Sequence, residues 1–105
     1  MARKTPPPGS PLTLDKIVHG PLRLGIVTAL AVSEHRTFTE LRDSLGATDG
    51  NLNDSLNKLE QAGYVSPTRK VENRGVRSEF RLTRAGQKAL ADYLAQLDRI
   101  LAPLR

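Results

Sequence analysis

The stretch from Thr48 to Val65, TDGNLNDSLNKLEQAGYV, predicts a short amphipathic helix that leads directly into a strand. Three leucines recur at i, i+4 and i+7 and so form one apolar stripe: Leu52, Leu56 and Leu59. Thr48 is placed to cap the helix, because its side-chain oxygen can accept a backbone N–H of the first turn. Gly63 is placed to end it, since helices commonly terminate at a residue in the left-handed region.

The face of this helix opposite the leucines is polar and rich in amides. An asparagine side chain can both donate and accept hydrogen bonds, which suits the reading of base edges in DNA. The alternative is a solvated polar face with no function, and this stretch alone does not decide between the two. The candidate DNA contacts on the helix are Thr48, Asn51, Asn53, Asp54, Asn57 and Lys58.

The composition limits what else the chain can be. With 105 residues, 38% of them hydrophobic and 26% charged, it suits one small globular domain with a modest core. There is no cysteine, which excludes disulfides, thiolate nucleophiles and thiolate metal sites. His19 and His35 have no other ligands at metal-binding spacing, so we predict no metal and no cofactor. Without a membrane-spanning run or the apolar core of a signal peptide, we expect a cytoplasmic protein.

The charge of the chain is unevenly distributed along it. The formal net charge is +5, but residues 12–68 carry a net −2. Residues 69–84 hold six basic and two acidic residues, a net +4 within sixteen positions. Clustering of this kind indicates a binding surface for a polyanion, whereas scattered lysines and arginines would indicate only solubility.

Two further helices are predicted before the central one. Residues 1–11, MARKTPPPGSP, are proline-rich and basic and are predicted to form a disordered arm. A helix is expected from Pro21 to about Ser33, and a second within Thr37–Leu45 with Thr39 as its cap. The short turn at 46–48 then delivers the chain into the central helix, which is the pattern of a helix-turn-helix.

After the central helix the sequence alternates as a strand over Val65–Val71 and again over Val76–Leu82, with Asn73-Arg74-Gly75 as a hairpin turn. The tip and outer face of this two-stranded hairpin are predicted to carry five cations: Arg69, Lys70, Arg74, Arg77 and Arg81. Charged edge strands also deter aggregation. That role does not require so strong a bias to one sign, and the cations are therefore candidate DNA contacts.

A long helix over about 83–104, capped by Thr83, completes the chain. Its apolar positions alternate by three and four and are the candidate dimerisation residues: Leu90, Tyr93, Leu94, Leu97, Ile100, Leu101 and Leu104. Because this seam is longer than a small domain can cover, we expect a homodimer, or a partner protein on the seam. The alternative is packing against the first helix of the same chain.

Three segments resemble the bacterial and archaeal winged-helix transcriptional regulators, close to the small MarR-like and ArsR-like proteins. They are HGPLRLGIVTAL at 19–30, FTELRDSLGATDGNLNDSLNKLEQAGYV at 38–65 and RLTRAGQKAL at 81–90. The resemblance implies an α+β winged helix-turn-helix domain over residues 12–105, with a helical core, a two-stranded β wing and a long C-terminal helix. It also implies a homodimer that places helix 48–62 in the major groove and wing 69–81 on the backbone or minor groove of double-stranded DNA.

The sequence departs from this family pattern on the recognition helix. Residues 48–62 carry a net −2, and Asp54 stands where similar proteins usually have a polar or basic residue. Asp54 can accept from a cytosine amino group, but an acidic helix meets phosphates poorly. We therefore predict a sequence-specific DNA-binding transcriptional regulator, with a winged-helix protein–protein interaction module of weak or no DNA binding as the alternative. Metal sensing of the ArsR type does not carry over, no set of residues suggests an enzyme, and no effector site is identified.

Overall fold

The computed structural model describes residues 9–105, so the predicted arm, residues 1–11, lies outside the described residues for its first eight positions. The helices and strands follow one another in the order α1 (Pro21–Ala31), β1 (Arg36–Thr37), α2 (Phe38–Leu45), α3 (Asp49–Gln61), β2 (Val65–Glu72), β3 (Gly75–Leu82) and α4 (Arg84–Leu101). A short 3₁₀ turn precedes α1 at Pro11–Thr13, and another follows α4 at Ala102–Leu104. The predicted order of helices and wing strands is confirmed.

The first helix of the helix-turn-helix, α2, begins one turn away from the predicted position. Its cap is Thr37, whose Oγ1 accepts from the Glu40 N–H at 3.1 Å, while the Glu40 carboxylate accepts from the Thr37 N–H at 3.1 Å. The predicted cap, Thr39, is wrong, because a capping box needs Glu or Gln three residues after the cap. Arg42 occupies that position after Thr39. The helix ends at Gly46, which has φ +64°.

The central helix, α3, agrees with its prediction at both ends. The Thr48 side chain accepts from the Asn51 N–H at 3.2 Å. Gly63, with φ +79°, follows the last turn in the left-handed conformation that lets the chain leave the helix. The leucine stripe of α3 is fully buried and fixes the helix on the core: Leu52, Leu56 and Leu59.

The sheet has three strands, in the order β1-β3-β2, so the prediction of a two-stranded wing is wrong. The strand that was missed, β1, pairs antiparallel with β3 through Arg36 opposite Phe80 and Thr37 opposite Glu79. Two residues are too short to show an alternating pattern in the sequence. The hairpin turn is also tighter than predicted, because Gly75 already pairs with Glu72 and leaves a two-residue loop.

The hydrophobic core forms two adjoining clusters. The larger one joins α1, α2, α3 and the base of the hairpin, and includes Ile26, Leu30, Leu41, Phe80, Leu82 and Leu90. The smaller one joins the segment before α1 to α4 through Leu14, Val18, Ala89 and Tyr93. The segment before α1 therefore covers α4 on one side.

The segment before α1 is also bound to the end of the recognition helix by hydrogen bonds. The Tyr64 hydroxyl donates to the Asp15 carboxylate, which raises the pKa of Tyr64 to about 12. Burial alone would raise the pKa of Asp15, but the hydrogen bonds from Tyr64 and from the N–H groups of Val18 and Ile17 outweigh it and hold that pKa below its ordinary value. This contact ties residue 15 to the α3–β2 junction.

Candidate nucleic-acid interface

The outer face of α3 presents its polar side chains to solvent. Six predicted contact residues lie together on this one helix and are all exposed: Thr48, Asn51, Asn53, Asp54, Asn57 and Lys58. Because the leucine stripe is fixed in the core, the opposite face cannot rotate out of this position without exposing that stripe. The result is a rigid helix with amide groups along its free side.

The acidic residues of α3 are largely paired with cations. Lys58 Nζ lies 3.3 Å from the Asp54 carboxylate one turn earlier. Asp49 accepts from Arg42 of α2 at 3.0 Å. The hydrogen bonds from Arg42 to Asp49 and Asp43 raise the pKa of the guanidinium group above its ordinary value. Asp54 therefore forms a neutral pair with Lys58 on the outer face, and the net −2 of this segment overstates how acidic that face is.

The register of the β2–β3 hairpin, which we call the wing, assigns its side chains to two faces. Arg69 is opposite Ser78, and Val71 is opposite Val76. Both pairs lie on the face that carries Phe80 at its base, which packs in the core with α3. Arg69 therefore lies on the core-side face, so the prediction that placed it with the outer-face cations is wrong.

The opposite, outer face of the wing holds a cluster of charges around a buried carboxylate that the sequence analysis did not single out. Glu79 is only 4% exposed. Its Oε2 lies 3.3 Å from Lys70 Nζ and 3.5 Å from His35 Nδ1, and its Oε1 lies 3.1 Å from Arg77 Nη2. Arg77 also contacts Glu72 at 3.1 Å. Two of the predicted DNA contacts, Lys70 and Arg77, are thus bound to acids of the wing itself.

The remaining predicted wing cations are separated from one another. Arg74 lies in the exposed turn at the tip. Arg81 lies at the base of the wing and shares a cleft with Val32 and Glu34, which follow α1. Within residues 9–105, Arg69, Arg74 and Arg81 form no ion pair. The five cations therefore do not form one surface, and only Arg69 and Arg74 combine an unpaired charge with a position on the tip or the core-side face.

The predicted dimerisation seam on α4 divides into a buried and an exposed part. Leu90 and Tyr93 belong to the chain's own core, which corrects the prediction that they face a partner. Leu97 and Ile100 are half-buried against the smaller cluster, and Leu101 is also half-buried. Leu94 is 52% exposed and Leu104 is 82% exposed. The exposed part of the seam thus begins at Leu94.

The two histidines have structural surroundings. His19 Nδ1 lies 2.9 Å from the Tyr93 hydroxyl, and His35 lies beside Glu79. In the part of the chain that the structure describes, no three potential ligand residues converge on a point where a metal ion could bind. No helix between residues 9 and 105 combines the length and the apolar character needed to cross a membrane.

The comparison with known families decides what this architecture is. The model of the family described as the winged helix DNA-binding domain matches residues 22–101, which includes every helix and both strands of the wing. The chain belongs to this winged helix DNA-binding family. The winged helix matches an uncharacterised protein of Methanocaldococcus jannaschii, MJ0432, at 32% identity over 82 residues, which is 78% of this chain and 89% of that protein.

Solved structures place the winged helix among transcriptional regulators. A transcriptional regulator homologue from Pyrococcus horikoshii OT3 superimposes with a TM-score of 0.79 at 27% identity, covering 84% of this chain and 87% of that one. A protein described as a MarR-family transcriptional regulator, from Enterococcus faecalis V583, does so with a TM-score of 0.65 at 29% identity, covering 82% and 84%. The winged helix-turn-helix assignment is therefore confirmed. The matched proteins are regulators and not enzymes, in agreement with the prediction for this chain.

Proposed function

We propose that this winged helix domain, over residues 12–105, acts in the cytoplasm as a homodimeric, sequence-specific regulator of transcription, with α3 in the major groove and the wing on the backbone or minor groove. The observation that carries the proposal is the exposed amide face of α3, held outward by a buried leucine stripe. A helix fits the major groove of B-DNA, and amides there can discriminate adenine by paired hydrogen bonds.

The wing supports the same arrangement through its core-side face. Arg69 and the tip residue Arg74 carry unpaired charges and lie on the part of the hairpin that continues the side packed against α3. Phosphate neutralisation by such residues supplies sequence-independent affinity, while base contacts from α3 supply discrimination. Arg69 and Arg74 therefore replace the full set of five cations as the proposed wing contacts.

The exposed part of the α4 seam supports a homodimer. Leu94 and Leu104 leave a large apolar area in solvent at the end of a helix whose other side is already covered by the segment before α1. A second copy of the same seam would cover it in a two-fold arrangement, and two-fold dimers match half-sites one helical turn apart.

A second candidate function, a protein-binding module, is favoured by the Asp54–Lys58 pair. That pair uses up the one lysine of the recognition helix and leaves its outer face without a free cation among the described residues. A module of this type would use the same exposed helix to bind a polar protein surface, and its affinity for DNA would be weak.

The α3 contacts are tested by removing one amide. Asn57→Ala should lower the preference for the cognate duplex over a scrambled one by about 1–3 kcal/mol, because one bidentate base contact is lost. Affinity for the scrambled duplex should hardly change. Both values can be measured by fluorescence anisotropy with duplexes taken from the DNA upstream of the protein's own gene.

The matched control is Gln87→Ala, which removes an exposed amide from α4, away from the proposed groove contact. This variant should bind both duplexes as the parent does. If Asn57→Ala also leaves the preference unchanged while the parent discriminates between the duplexes, then α3 does not read bases through this residue and the proposed docking is wrong.

A further inference from the structure

We propose that Glu79 withholds Lys70 and Arg77 from the DNA backbone, so that the affinity of the wing for DNA of any sequence is held well below what its cation count would give. This inference rests on the proposed DNA-binding function. It assigns a specificity-determining role to an acidic residue on the face of the wing that is turned away from the core.

The position of Glu79 on the sheet explains why its carboxylate retains these cations. Glu79 lies on β3, the middle strand, opposite Thr37 of β1 and Thr68 of β2. The flanking strands and the side chains above them leave it 4% exposed. A buried carboxylate is costly unless cations compensate it, and removal of its partners is therefore opposed.

The charges of the wing divide into a neutral group and a free group. Lys70 and Arg77 are balanced by two acids, Glu79 and Glu72, through contacts of 3.1–3.3 Å. The net +4 of residues 69–84 therefore rests on four other residues: Arg69, Arg74, Arg81 and Arg84. Of these, Arg69 and Arg74 lie on the core-side face or the tip.

This division has a functional consequence. Every cation that reaches a phosphate strengthens binding to all sequences equally, which lowers the ratio of specific to non-specific affinity. Moving Lys70 to a phosphate would leave the buried Glu79 with less compensation, so the lysine gains less from DNA than an unpaired cation does. Glu79 thus acts by occupying Lys70 and Arg77, and it does not itself touch DNA.

The test is the isosteric change Glu79→Gln, measured by anisotropy on a random-sequence duplex at several salt concentrations. Affinity should rise roughly tenfold at ~0.1 M salt for each new phosphate contact, and the salt slope should steepen by about 0.9 per contact. Adding Lys70→Gln to Glu79→Gln should remove the part of the gain that Lys70 supplies. In the parent background, Lys70→Gln alone should change affinity less than about twofold.

The matched control is Arg74→Gln, which removes one charge from an unpaired residue of the same hairpin and should weaken binding roughly tenfold. Weaker or unchanged binding by Glu79→Gln overturns the inference, as does a loss in Lys70→Gln equal to that in Arg74→Gln. The Lys70→Gln comparison decides the matter even if Glu79→Gln does not fold. A parent protein that binds no duplex refutes the proposed function as well, whereas failure of the variants alone refutes only the role of Glu79.

Discussion

Leu94→Asp is expected to convert the homodimer into a monomer and to lower affinity for a two-half-site duplex by about 10²–10⁴-fold, because the second half-site contact is no longer intramolecular. Leu94 is 52% exposed in the single chain, so the fold should tolerate the change. In the dimer the new carboxylate would be buried without a partner, which is strongly unfavourable. Light scattering gives the mass, and anisotropy gives the affinity.

A substitution at the neighbouring position provides the control for this experiment. Ala95→Asp places the same charge on an exposed position of the same helix, about 100° away from Leu94 around its axis. It should leave both the mass and the affinity unchanged. A parent protein that is monomeric at micromolar concentration would contradict the dimer proposal outright, and equal effects of the two aspartates would show that the seam is not the interface.

Gly86→Ala is expected to lower the free energy of unfolding by about 1–3 kcal/mol or more, the usual range for an overpacked site. A Cβ at this position would lie 2.3 Å from the carbonyl oxygen of Tyr64 and 2.6 Å from Leu82 Cδ1. That carbonyl also accepts the Thr83 N–H at 3.0 Å, so it cannot move away without breaking the junction. For a chain of this size the melting temperature should fall about 4–8 °C for each kcal/mol.

Gly50→Ala is the matched control for Gly86→Ala, since Gly50 lies in α3 and an added Cβ would meet nothing within 4 Å. Alanine is the better helix former, so this variant should gain about 0.5–1 kcal/mol. Opposite signs for two glycine-to-alanine changes in helices are the specific expectation. A melting temperature for Gly86→Ala at or above that of the parent would mean that α4 does not approach the α3–β2 junction as described.

Local signals in the sequence were sufficient for the recognition helix and its two neighbours in the chain. The cap at Thr48, the leucine stripe and the left-handed Gly63 depend on residues within one or two turns, and each has the predicted role. The same holds for Thr83, whose side chain accepts from the Gly86 N–H at 3.0 Å at the start of α4. Alternation along β3 likewise placed Phe80 and Leu82 on the face that packs in the core.

The features that the sequence did not predict depend on contacts between distant segments. Strand β1 exists because Arg36 and Thr37 meet β3 more than forty residues later, and it is this pairing that makes Glu79 a central-strand residue. A simple charge count therefore treated Lys70 as a free cation. Tyr93 could not be distinguished from the exposed positions of α4, because the segment that covers it lies far earlier in the chain. Whether the candidate residues contact DNA stays a prediction.

The most direct test of the central claim is the salt dependence of binding between the unmodified protein and a duplex from upstream of its own gene. Two wing cations per subunit, Arg69 and Arg74, give four phosphate contacts in a dimer, so log affinity should fall against log salt with a slope of about −3.6 or steeper. A scrambled duplex should give a similar slope and weaker binding. No binding to either duplex at low salt, or equal affinity for both, would contradict a sequence-specific regulator and favour the protein-binding module.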